Sequence, residues 1–489
     1  MKVRTDQFRQ LSQEALENRF IRGAIARANV SFRAARVAAI DSMPDWEQLR
    51  QQGHDIKRRA LDHLPWALEE FEKNLTARGG QVHFCEDGAS ARDTVLSIVR
   101  SHGATRVTKS KSMATEEIGL NPCLEEAGVR VVEGDLGEYI VQLAGEAPSH
   151  IISPAIHKSR EEISRLLNEH IDCPLDADIP DMTRAARRAL RDDFLGAEVG
   201  ISGVNFAVAQ SGTVVIVENE GNARMSTTIP KVHIAVVGIE KVVPRLEDLS
   251  VLLRILCRSA TGQRISSYVS FISGPRTAVE AEGPEELHVV FLDAGRSRLW
   301  ADPKTRASLH CIRCGACLNF CPVYERVGGH AYGWVYPGPI GSVITPHYVG
   351  IERSSDLPQA SSLCGRCAEV CPVKIPLPDM LLDLRARNVD AGGVRATERW
   401  SMRLFSMLAS MPVLWRTLTF VGRPLYRLLE SSGLAARLPG APGRWSRSRA
   451  LPKVGTPSFR ARWRATDGFR DRRGAGRGAG RGDRRGGES

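Results

Sequence analysis

No run in the 489 residues approaches the ~20 consecutive apolar residues of a membrane-spanning helix. The opening "MKVRTDQFRQLSQEALENRFIRG" lacks the apolar core of a signal peptide, and its acidic residues speak against a transit peptide. A cytoplasmic protein is therefore expected. A nucleotide-binding glycine motif is also missing. The only G-x-G-x-x-[GA] match is Gly474, Gly476 and Ala479, in a repetitive tail with no strand before it, so neither a flavin nor a nicotinamide is expected from it. The body has little net charge. Residues 441–489 hold fourteen Arg and Lys against four Asp and Glu, a balance of +10, which leaves about +1 (11 − 10) of the formal +11 for the rest. Any case for nucleic acid or an anionic surface rests on the tail alone. A disulfide framework is absent too. Of eleven cysteines, seven crowd into residues 311–371, while Cys85, Cys123, Cys173 and Cys257 are scattered. That distribution suits a metal site in a reducing compartment.

What is present falls into five regions. Residues 1–75 have apolar side chains at helical spacing. Residues 76–295 alternate short β-rich runs, among them "SHIISPAI", "NFAVAQSGTVVIVEN" and "VHIAVVGIEKVV", with helical stretches such as "SREEISRLLNEHI". The expectation is an α/β domain with a largely parallel sheet covered on both faces. Residues 300–390 hold the cysteines around "GGHAYGWVYPGPIGSVITPHYVG", which reads as too irregular for a helix. Residues 391–464 read as apolar helices broken by Pro412 and Pro424, suited to docking on a partner or lying at an interface. The Arg/Gly-rich residues 465–489 read as disordered.

Cys311, Cys314, Cys317 and Cys321-Pro322 fit C-x2-C-x2-C-x3-C-P. In two-cluster ferredoxins the fourth cysteine of this run serves the other cluster. The second run aligns as Ser361, Cys364, Cys367 and Cys371-Pro372, so a serine stands where an eighth cysteine belongs. Cross-ligation assigns Cys311, Cys314, Cys317 and Cys371 to cluster 1, and Cys321, Cys364 and Cys367 to cluster 2. Two iron–sulfur clusters are expected, [4Fe–4S] for both. The second is then one cysteine short: its last iron takes water, a non-cysteine side chain, substrate or a partner's ligand, or the cluster is [3Fe–4S]. Zinc is the competing reading, but structural zinc sites usually use two separated ligand pairs. Arg313 and Arg366 lie inside the motifs and would raise a cluster's potential if held close; solvated, they would not.

The chain contains the long stretches "KSKSMATEEIGLN", "GVNFAVAQSGTVVIVENEGNARMSTTIPKVHIAVVGIEK" and "LHCIRCGACLNFCPVYERVGGHAYGWVYPGPIGSVITP". On these, from about residue 60 to 390, it resembles the lactate utilization protein B family, the iron–sulfur subunit of a bacterial L-lactate oxidation system. The resemblance implies an α/β domain similar to the ribose-phosphate isomerase and CoA-transferase folds, followed by an α-helical ferredoxin-like two-cluster domain. It also implies two partners: a cysteine-rich, heterodisulfide-reductase-like subunit and a second lactate-utilization-domain protein. The family's second run has three cysteines as well, so Ser361 fits its pattern. The implied function is electron transfer in a cytoplasmic complex oxidising L-lactate to pyruvate, with this chain non-catalytic or co-catalytic. The nearest alternative is the same role for another 2-hydroxy acid such as glycolate. From a different class, the alternative is an iron–sulfur sensor or a nucleic-acid-binding module using the basic tail.

Substrate-binding candidates outside the cysteines are Lys109 and Lys111, before a helix start near Thr115, and Glu218, Glu220 and Arg224, after a strand. A solvated lysine turn and a plain polar loop are the competing readings. His157, Lys158 and His310 are isolated and read as structural or solvated.

Overall fold

All seven residues of Val232–Gly238 are buried, as a central parallel strand covered on both faces requires. The computed structural model describes residues 3–394, 396–432 and 459–465. Its strands are β1 (Gln81–Cys85), β2 (Arg106–Lys109), β3 (Arg130–Glu133), β4 (Val199–Gly203), β5 (Phe206–Val208), β6 (Thr213–Glu218), β7 (Val232–Gly238), β8 (Val242–Val243), β9 (Tyr268–Ile272) and β10 (Glu286–Leu292). Six form one sheet in the order β1-β10-β7-β4-β2-β3, with every pairing parallel.

Helices occupy the N-terminal region, and the last of them is part of the sheet's cover. Leu64–Thr76 turns Ala67, Phe71 and Leu75 inward, and the Phe71 ring meets Phe291 of β10 edge-on at 5.1 Å. Full burial of a side chain such as Phe71 or Leu75 stabilises by about 1.5–3 kcal/mol. Ser159 starts the helix Arg160–His170 with a capping box to Glu162.

Three expected elements differ. "NFAVAQSGTVVIVEN" is not one strand but the hairpin β5–β6, part of a second, mixed sheet ordered β8-β5-β6-β9. Gly212 makes the turn at φ +58°, where a Cβ would stand 2.3 Å from the backbone nitrogen of Leu75. "SHIISPAI" is turn rather than strand: the backbone N–H groups of Ile152 and Ser153 donate to Nδ1 of His150, and Ser149 bonds back to the Pro154 carbonyl. "GPIGSVITPHYV" is a helix, Gly338–Val349, containing Pro346 and buried over its first nine residues. Because its surroundings are protein on all sides, no amphipathic pattern marks it.

The chain divides into two units, residues 1–393 and 394–489. In the first, sheet residues Val208 and Val237 share one hydrophobic core with Leu318, Tyr324 and Ile340 of the cysteine region. The second contains helices Ala396–Ser410, Pro412–Ser432 and Phe459–Ala465. Pro412 begins a new helix at a 103° bend, whereas Pro424 is carried inside its helix. No single described helix is long and apolar enough to cross a membrane, although the bent pair passes by length and composition together. Most of the Arg/Gly-rich tail lies outside the described residues.

Candidate metal centre and adjoining cavity

The two cysteine loops are copies of one backbone design. Arg313 (φ +61°) and Gly315 (φ +72°) in the first match Leu363 (φ +55°) and Gly365 (φ +81°) in the second. Each loop turns into a short helix, Ala316–Asn319 and Arg366–Glu369. In the first, the N–H of Arg313 donates to Sγ of Cys311 at 3.4 Å. In the second, the N–H of Leu363 donates to Oγ of Ser361 at 3.1 Å. The serine oxygen thus takes the place of the cysteine sulfur in an otherwise repeated turn. Tyr324 and Ile375 likewise donate backbone N–H groups to Cys321 and Cys371.

The seven sulfurs fall into two neighbouring groups. Cys311, Cys314, Cys317 and Cys371 line one small cavity, walled otherwise by Arg313 and by apolar residues including Ile151, Ile340 and Val373. Burial raises the thiols of Cys321 and Cys367, and the neighbouring Cys364 adds to both shifts. Burial, with repulsion from neighbouring thiolates, pushes Cys314 and Cys367 up to about 12 and Cys371 up to about 11. Such a set ionises only around bound positive charge. A single tetrahedral zinc needs thiolates roughly 3.8 Å apart, given its bonds of about 2.3 Å. Among the described residues, the only metal-ligand type atoms gathered in threes within 4.8 Å belong to His102, Glu286 and His288. Four thiols round one cavity at wider spacing fit a polynuclear centre.

Beside this centre, a cavity of about 290 Å³ opens at the carboxyl ends of β2, β4 and β7, where parallel sheets place ligands. Lys111, Glu218 and Glu220 line it; Lys109 and Arg224 do not. Lys109 is fully buried and pairs with Glu133 at 2.8 Å and Glu116 at 3.2 Å. Those carboxylates outweigh the burial and raise its pKa. Lys111 donates to the Ile152 carbonyl at 2.5 Å. Both Glu218 oxygens accept backbone N–H groups, from Ala223 and Arg224. The Arg224 guanidinium lies 5.1 Å over the Tyr268 ring. His157 is buried between Ser149 and Glu146, and His310 is buried against the His54 ring.

Sequence reasoning missed Glu240, Lys241 and Arg296, all on this cavity. The adjacent charges of "GIEKVV" after an apolar strand were the available signal. Burial, then repulsion from Arg313, lowers Lys241 to about 7. Arg313 reaches in from the cluster-1 loop: its guanidinium is 4.4 Å from the Tyr336 ring centre and 3.4 Å from Glu240. Of the two motif arginines it is the buried one. Arg366 is exposed, beside Glu369 and over the Phe320 ring.

Three regions of the chain match known protein families. The LUD domain family matches residues 68–292, ending on the last residue of β10. A 4Fe-4S dicluster domain matches 307–375, and the C-terminal domain of lactate utilisation protein B matches 387–467. Lactate utilization protein B of Shouchella clausii is 41% identical over 461 residues, covering 94% of this chain and 97% of its own. That of Bacillus licheniformis is 40% identical over 475 residues, covering 97% and 98%. The chain belongs to the lactate utilization protein B family. Both cysteine loops lie inside the dicluster match, and the sheet-end cavity joins it to the LUD match through Arg313. A DUF162 family protein from Deinococcus radiodurans also aligns, at TM-score 0.27 and 14% identity over 47% of this chain and 98% of that one.

Proposed function

We propose that this member of the lactate utilization protein B family is the electron-transfer subunit of a cytoplasmic complex that oxidises L-lactate to pyruvate. It holds two clusters: Cys311, Cys314, Cys317 and Cys371 ligate the first, and Cys321, Cys364 and Cys367 the second. Iron–sulfur clusters supply one-electron storage and transfer, and lactate gives up two electrons. The observation that carries the reading is the division of the seven cysteines into two adjacent groups, with Cys317 close enough to sense Cys367. Backbone N–H groups aimed at Cys311, Cys321 and Cys371 supply the hydrogen bonds that sulfur ligands to iron accept. Apolar side chains make up most of the remaining wall around the first group.

On this reading the α/β region is of the ribose-phosphate isomerase and CoA-transferase type, and the cysteine region is helical and ferredoxin-like. A cysteine-rich subunit and a second lactate-utilization-domain protein complete the assembly. The exposed apolar side chains of 396–428, among them Trp400, Phe405 and Phe420, suit such a contact. Lys109 serves the fold, and Lys111, Glu218 and Glu220 serve the cavity.

The test is anaerobic purification with iron, sulfide and EPR measured on one sample, then addition of L-lactate or glycolate with the partner subunits present. About eight irons, with signals that develop on L-lactate, support the proposal; about seven, with an oxidised [3Fe–4S] signal, revise only the second cluster. Bound zinc without an EPR signal refutes electron transfer, and reduction by glycolate alone refutes the substrate.

A further inference from the structure

Lys241 is 9% exposed and lines the sheet-end cavity, yet its ammonium has no hydrogen-bond or ion-pair partner among the described residues. Arg313 borders both this cavity and the cysteine cavity; its Nη1 is buried without a partner among the described residues, while Nη2 leans toward Glu240 at 3.4 Å. Nearby cations have their partners: Lys57 donates to the Glu240 carbonyl at 2.6 Å, and Arg296 is tied to Glu117 and Glu240. Leaving buried charged donors unpaired costs several kcal/mol. Nη1 of Arg313 is one such donor, and Lys241 turns an amino group without a partner among the described residues toward the same cavity, so the two together describe a site shaped for an anion.

The rest of the lining narrows the anion. Asp135, Glu218 and Glu220 also face the cavity. Glu220 accepts from Asn222 at 2.8 Å and from the Leu136 N–H at 3.3 Å. A second negative charge on the ligand would meet these carboxylates, whereas a hydroxyl could donate to them. We propose that the cavity binds a short hydroxy- or oxo-monocarboxylate, its carboxylate held by Lys241 and by Nη1 of Arg313. The choice of a lactate-sized acid rests on the proposed function; the anion site itself rests on the unpaired donors.

Arg313 stands between Cys311 and Cys314, so the site and the first cysteine group share a side chain and its backbone. An anion on Arg313 offsets positive charge beside that group. It therefore lowers the reduction potential measured there, and by linkage the oxidised protein binds the acid more tightly than the reduced one.

The experiment is calorimetric titration of the full, iron-loaded chain with L-lactate, pyruvate, lactamide and inorganic phosphate, with redox titration in the presence and absence of each acid. The expected result is saturable binding of lactate or pyruvate, at least tenfold weaker binding of lactamide and phosphate, and a potential lowered by the acid. Lys241→Met should weaken acid binding at least tenfold at unchanged iron content and visible absorption, and Lys241→Arg should restore it. No acid binding, equal binding of lactamide, tighter binding of phosphate, or full acid binding by Lys241→Met each overturns the inference. If Lys241→Met does not fold, the wild-type titrations decide: acid binding without a change in potential places the site elsewhere and refutes it. The two proposals fail separately. Reversible cluster reduction without acid binding leaves electron transfer standing. Zinc in place of iron removes electron transfer, and the acid-against-amide titration still decides the site.

Discussion

Replacing Arg296 by methionine tests whether one buried ion network holds the cysteine region against the sheet. Arg296 is 1% exposed and spends four of its five N–H donors on protein. Nη1 and Nη2 grip Glu117 at 2.8 and 2.7 Å, and Nε donates to Glu240 at 2.7 Å. Nη1 also donates to the Asp293 carbonyl at 3.0 Å, and the guanidinium lies 4.9 Å from the Tyr348 ring centre. Burial alone would raise Glu240; Arg296 and then Arg313 overcome it and hold that carboxyl at about 2. Without Arg296, Glu240 keeps Arg313, but Glu117 keeps only the hydroxyl of Tyr336 at 2.6 Å. Removing one partner of a buried pair costs about 3–5 kcal/mol, and here the loss falls mainly on Glu117. Arg296→Met should therefore lose about 4 kcal/mol in urea unfolding followed by far-UV circular dichroism. Arg296→Lys, reaching one carboxylate rather than two, should lose about half of that. Adding Glu117→Gln to Arg296→Met removes the stranded charge and should recover at least about 2 kcal/mol relative to the sum of the single changes. A loss below about 1 kcal/mol for Arg296→Met, or simple additivity with Glu117→Gln, would refute the assignment.

Two further outcomes follow from local geometry. Burial lowers His150 to about 4 and His233 to about 3, so the unfolded chain binds more protons below pH 6.5. Their stabilisation is complete above that pH and shrinks as pH falls toward 4, by about 2 kcal/mol between pH 6.5 and 5.5 for the two together. The slope of stability against pH in His233→Gln should be shallower than in wild type by about half of that amount; equal slopes would contradict it. Ser361→Cys supplies an eighth thiolate at the position equivalent to Cys311. Iron should leave the variant more slowly under a chelator and its EPR signal should change, while an unchanged rate and spectrum would mean that position 361 does not face the second cluster.

The parallel sheet was legible because its central strands are short, predominantly apolar runs set between helical stretches, as strands covered on both faces require. The cysteine spacing likewise carries its chemistry in the sequence, since the short C-x2-C-x2-C loop aims three sulfurs at one centre while the x3 step sends the fourth to the other. What stayed hidden was set by contacts between distant segments. Gly212 reads as an ordinary glycine until Leu75 is placed against it. The helix Gly338–Val349 has no polar face to reveal its period, because protein covers it all round. Lys109 and Lys111 look equivalent in "TKSKS", yet the end of β2 sends one into a carboxylate cluster and the other to the cavity. Lys241 sits in a run whose apolar neighbours suggested only strand.

The repeated loop separates what the backbone requires from what the side chain contributes. A non-glycine residue in the left-handed region costs roughly 1–2 kcal/mol, and both loops accept that cost at the same position, in Arg313 and Leu363. The conformation is therefore a demand of the turn, which must bring an N–H back to the first ligand position. It is not a device for placing an arginine. The side chains then diverge: Leu363 packs on the hydrophobic core, whereas Arg313 stacks on Tyr336 and faces Glu240. A leucine at 313 would satisfy the same turn without burying a charge. The arginine carries the larger desolvation cost, and its ion pair with Glu240 leaves one nitrogen unpaired. That excess cost is offset if the cavity takes up an anion, and the partnerless Lys241 on the same cavity calls for the same one.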